Sequence, residues 1–116
     1  MAFAYSILTE ITTIAAATAA VYTNPASTTA FVRSITIFNG HTSNETVVLY
    51  NVPDNAGAVG TAGETNEFFN QEVAPNETVI IEWAAPGLIL ADENDTIQAD
   101  ADTASKVTIQ IMGATE

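Results

Sequence analysis

Apolar and polar residues alternate in short runs along most of this chain, and turn residues rather than helical stripes separate the runs. The strongest run is Ala30–Phe38, in which Arg33, Ile35 and Ile37 alternate with Val32, Ser34, Thr36 and Phe38. Successive strand residues point to opposite faces. Apolar groups in both phases therefore predict a central strand covered on each side, by a second sheet or by a neighbouring subunit. Upstream, Ala19–Thr23 reads as a short strand and Asn24-Pro25-Ala26-Ser27 as a turn, since Pro25 has no N–H to give a ladder. Downstream, Asn39-Gly40 and the polar run His41–Asn44 predict a hairpin loop, with Glu45–Val52 returning as a strand. Together these segments predict the start of an antiparallel meander.

Pro53–Thr65 holds Gly57, Gly60 and Gly63 and little to bury, so it reads as a long loop. Strands follow at Glu67–Val73 and Glu77–Trp83, with Phe68 and Phe69 forced to opposite faces if the segment is extended. Ala85-Pro86-Gly87 breaks the second of these, and Leu88-Ile89-Leu90 reads as a short buried plug. After the acidic turn Asp92–Asp95, Thr96–Ala101 alternates like a half-exposed strand, and Lys106–Met112 follows with Val107, Ile109 and Ile111 inward. Seven or eight short strands at regular spacing predict an all-β fold, a single antiparallel β-sandwich over residues 19–116. Residues 1–18 fit two patterns. Ile7, Leu8, Ile11, Ile14 and Ala15 make a helical stripe, while the mix of Thr and Ile suits a strand. The β character of everything downstream favours an apolar N-terminal arm or edge strand.

Composition narrows the function. A chain of 116 residues is one domain and buries about 65% of the surface its unfolded form exposes. It has no cysteine, which excludes disulfides and thiolate metal sites. Fourteen acids against two bases, Arg33 and Lys106, give a net charge of −12. Such a surface repels phosphate backbones and anionic membranes, so neither nucleic acid nor membrane is an expected partner. The N-terminal apolar run has no basic residue before it, is interrupted by Glu10, and is too short and polar to span a bilayer. It predicts a product made in the cytoplasm.

Candidate chemistry is sparse. The single histidine, His41, sits in a polar loop, and any catalytic triad would need it as base with no acid or nucleophile placed beside it. Asp92, Glu93, Asn94 and Asp95, with Asp100 and Asp102 beyond, offer oxygens to a hard cation, but the spacing lacks the glycine and closing glutamate of an EF-hand loop. Asn44, Asn76 and Asn94 each begin a glycosylation sequon at a turn-to-strand boundary, where Asn and Thr are favoured anyway. A sugar platform would require Phe68, Phe69 or Trp83 exposed on one face; packing in the core or at a subunit interface is the favoured use. The expectation is a protein without catalytic residues, metal or cofactor.

The order Val21-Tyr22-Thr23-Asn24-Pro25-Ala26-Ser27-Thr28-Thr29-Ala30, a strand ending Ile37-Phe38-Asn39, and Thr46-Val47-Val48-Leu49 resembles small structural proteins of tailed bacteriophages. Glu77–Ile81, Gly87–Leu90, Asp95–Ala101, Val107–Ile109 and Gly113–Glu116 fit the same scheme. The resemblance implies a non-enzymatic virion component, first of all a capsid decoration (cement) protein on the outer surface of the head. The alternatives are a neck, tail or fibre part, or a receptor- or glycan-binding module. It implies the major capsid protein or another virion protein as partner, and a homo-oligomer, with a trimer favoured. Strong acidity and the long Pro53–Thr65 loop depart from the pattern. Candidate interface residues are Phe3, Tyr5, Ile7 and Leu8 of the arm, with Phe68, Phe69 and Trp83.

Overall fold

The computed structural model describes residues 4–116, with side chains from Ser6 onward. Nine strands form: β1 (Ala4–Thr13), β2 (Ala19–Thr23), β3 (Ala30–Asn39), β4 (Glu45–Val52), β5 (Glu67–Val73), β6 (Thr78–Glu82), β7 (Leu88–Leu90), β8 (Thr96–Ala101) and β9 (Val107–Thr115). They make two antiparallel sheets. The first runs β1-β9-β3-β6, with β7 pairing β3 beyond the end of β6; the second runs β2-β8-β4-β5. The β-sandwich is as the sequence predicts, and β1 is one of its edge strands.

The connectivity differs from a meander. β3 and β4 lie in different sheets, so Gly40–Asn44 arches between layers rather than closing a hairpin. The pairs nest as β1 with β9, β2 with β8, β3 with β6 and β7, and β4 with β5. A long antiparallel ribbon folded over on itself in this way is a jelly roll.

The break between β6 and β7 has a local cause. β3 bulges at Arg33, where its register with β9 shifts between Val32 and Ser34. Trp83 N–H donates to the Arg33 carbonyl at 3.0 Å, and Arg33 Nε donates back to the Trp83 carbonyl at 3.2 Å. Gly87 follows at φ +100°, where a Cβ would strike the Val32 carbonyl, so only glycine fits. The bulge puts Val32 inside with Ile35 and Ile37, all at 0% exposure, and turns Arg33 outward. Strict alternation placed Arg33 with the two isoleucines; the extra residue reverses that.

The core lies between the sheets: Val32, Ile35 and Ile37 of β3 and Ile109 and Ile111 of β9 face Val47 and Leu49 of β4 and Ile97 of β8. A second bulge explains the adjacent aromatics. The register of β4 with β5 steps from Leu49↔Phe69 to Tyr50↔Glu67, leaving Phe68 as the extra residue. Phe69 is core, and Phe68 packs against that core with its ring 6.0 Å from Trp83. This pair seals the open edge between β5 and β6. At the opposite edge Leu8, Val21 and Tyr22 pack on the core, and Thr9 Oγ1 donates to the Val21 carbonyl at 2.8 Å. Leu88-Ile89-Leu90 is a strand, with Leu90 buried and Ile89 exposed.

Two buried asparagines hold the loop ends. Asn24 Nδ2 donates to the carbonyls of Thr28 (2.7 Å), Leu90 (3.2 Å) and Asp92 (3.1 Å). Asn39 Nδ2 donates to Ser43 (3.0 Å) and Val73 (2.9 Å), while its Oδ1 accepts from His41 N–H. Each ties its own turn to a distant chain segment through one amide.

Candidate functional site

The two outer faces of the sandwich are chemically unlike. On the second sheet, the outward positions of neighbouring strands are polar and acidic: Glu72 opposite Thr46, Asn70 and Asp100 flanking Val48, Glu67 and Gln98 flanking Tyr50. The Pro53–Thr65 loop lies over part of this face, Gln98 Nε2 donating to the Gly60 carbonyl at 3.1 Å. That cover explains why Thr96–Ala101 is buried on both sides rather than half-exposed. Thr18 Oγ1 and Tyr50 OH both donate to Asp100 Oδ2 at 2.8 Å. Burial and, secondarily, that bond to Asp100 hold the Tyr50 phenol above its ordinary range.

The first sheet presents the reverse. Of the seven exposed large hydrophobic residues among those described, six lie on its strands: Ile7, Ile11, Phe38, Ile80, Ile89 and Met112. Ile80 is 59% exposed and Met112 42%. Between them lie the neutral Ser34, Thr36, Thr108 and Gln110, half-buried in the outward rows. Arg33 opens into a shallow groove of about 460 Å³ lined also by Ser6, Ile7, Ser34, Met112 and Gly113. Arg33 makes no ion pair among the described residues, the sole one there being His41–Glu45.

The acidic turn assembles differently from the sequence expectation. Asp92 and Asp95 meet Asp54, one oxygen from each lying within 4.8 Å of the others, while Asp100 and Asp102 lie elsewhere. Asp95 is almost fully buried, and both its oxygens already accept backbone N–H groups, from Asp54 at 2.9 Å and Asp92 at 3.0 Å. Asp54 Oδ2 accepts from Gly57 N–H, and Asn94 Nδ2 donates to the Gly57 carbonyl. These carboxylates fasten the loop to the turn. The sequons have a similar explanation: Asn76 and Asn94 adopt left-handed backbone at φ 63° and 71°, which asparagine tolerates well.

His41 is more than a loop residue. Its Nδ1 lies 3.0 Å from Oε2 of Glu45, a carboxylate 1% exposed whose Oε1 accepts Thr103 N–H at 2.8 Å. The pair braces the arch between the sheets. No hydroxyl nucleophile bonds to His41 among the described residues.

The candidate interface residues separate. Phe3 and the Tyr5 side chain lie outside the described residues; the Tyr5 backbone pairs with Ala114. Ile7 is on the open face; Leu8 and Phe68 pack inward, Phe69 is core, and Trp83 packs on that core. The sequence reading missed Phe38, Ile80, Ile89 and Met112 as a shared exposed surface. Their signal was present, since β3 and β6 both carry apolar residues in each phase of alternation. No protein-family model matches the chain, and no curated protein matches it.

Proposed function

We propose that this protein is a non-enzymatic structural component of a virus particle, a capsid decoration protein that works by surface contact. The observation that carries the reading is the division of its surface into one sheet face that gathers six of the seven exposed large hydrophobic residues described and one acidic face. An exposed apolar sheet face of this extent marks a protein contact, and the acidic face keeps decorated particles apart. The jelly roll is a frequent scaffold of capsid and lectin domains, which agrees with the class without fixing the role. A glycan-binding tip is the second possibility for such a fold, but Phe68, Phe69 and Trp83 pack in or against the core rather than forming a shared exposed platform.

The test is the copy number of this chain in purified particles, measured against the major capsid protein by quantitative mass spectrometry. Hundreds of copies support the decoration role. A dozen or fewer move the protein to the neck, tail or fibres, and absence overturns the reading.

A further inference from the structure

We infer that the outer face of the β1-β9-β3-β6 sheet is a contact between copies of this chain. The inference rests on reading that face as a contact surface and names its occupant. Electrostatics select it. Each copy carries −12, and two copies meeting through the second sheet's outer face would set acids against acids. On this sheet most outward positions are apolar or neutral, and the groove beside Met112 and Ser34 holds Arg33, one of only two bases in the chain. Glu82 is exposed on β6 beside Ser34, so the face carries both a cation and an anion. A homotypic contact requires that kind of self-complementarity.

The area suffices. Four strands spaced about 4.8 Å apart, each rising about 3.4 Å per residue, give the face about 600 Å² in plan. A standard stable interface takes about 600–1,000 Å² from each partner. Ile80, Met112 and Ile7 stand within this area as the side chains to be covered, and Arg33 lines the groove together with Ile7, Ser34 and Met112.

Sedimentation equilibrium of the intact protein at about 100 µM tests the inference. The expected mass is two or more times that of one chain. Ile80→Lys and Met112→Lys alter exposed positions and leave the fold intact, as near-ultraviolet circular dichroism will report; each weakens association about thirtyfold or more. Asn70→Lys, exposed in the outward row of the second sheet, leaves the mass unchanged. A wild-type monomer, or an oligomer indifferent to both lysine variants, overturns the inference. A monomer present at hundreds of copies per particle would do so while leaving the decoration role standing. An oligomer absent from particles would do the opposite.

Discussion

The sharpest stability prediction concerns Asn24. Its amide donates to three carbonyls, one in its own turn and two in the 90–92 segment, and its Oδ1 accepts from Tyr22 OH at 3.1 Å. Asn24→Ala leaves the buried Leu90 carbonyl without that donor, at about 1–3 kcal/mol, and weakens two partly hydrated carbonyls by about 0.5–1 kcal/mol each. The expected loss is about 3 kcal/mol, a large share of the 5–15 kcal/mol typical of a domain. At this chain length a loss of about 1 kcal/mol lowers Tm by about 4 °C, so the midpoint should fall by about 12 °C. Differential scanning calorimetry and urea unfolding measure it. Asn24→Asp is the informative companion, because it keeps the shape and replaces the donors with a carboxylate facing carbonyls. It should destabilise at least as much as alanine. If Asn24→Ala shifts Tm by less than about 4 °C, or the Asp variant is tolerated, the clamp argument is wrong.

Gly113 pairs with Ser6 on one side and Val32 on the other, and a Cβ there would collide with the Phe31 carbonyl. Gly113→Ala should therefore cost about 2 kcal/mol or more, while Gly40→Ala, whose Cβ meets its nearest atom at 3.4 Å, should change little; urea midpoints compare them. Trp83→Ala removes a half-buried ring from the β5–β6 edge and should cost about 2 kcal/mol while leaving the association mass unchanged, which a role at the copy-to-copy contact would not allow. Tyr50 has a raised phenol pKa, so its contribution is fully present below about pH 10 and is lost as pH rises through the folded value. Absorbance at 295 nm should show a phenol titrating late, and Tyr50→Phe should flatten the alkaline loss of stability.

Strand positions were legible because turn residues mark nearly every boundary: Asn24-Pro25, Pro75-Asn76 and Pro86-Gly87 fall between strands, and Asn39-Gly40 marks the end of β3. Which strands share a sheet was not legible, since β1 finds β9 across almost the whole chain, and local pattern carries no information about such pairing. The two bulges were hidden for another reason. A residue inserted at Arg33 or Phe68 reverses the phase of alternation, and neither has the glycine that often marks such a site. The open face was half visible. Ile35 and Phe38 fall in opposite phases, which fits a strand covered on both sides, yet one cover is absent from the single chain. The acidic turn was visible as composition, but Asp54 joins it from a loop some forty residues earlier, beyond what spacing reveals.

The pairing of Ala4 with Thr115 governs when the fold can form. β9 lies between β1 and β3, so the first sheet has no continuous ladder until the last strand has been made. On the ribosome, β1 must wait with Ile7 and Leu8 solvated while more than a hundred residues emerge. Folding then waits for β9 and has high contact order, in the slow regime of milliseconds to seconds. A nascent chain stalled before Val107 should remain sensitive to protease along its whole length.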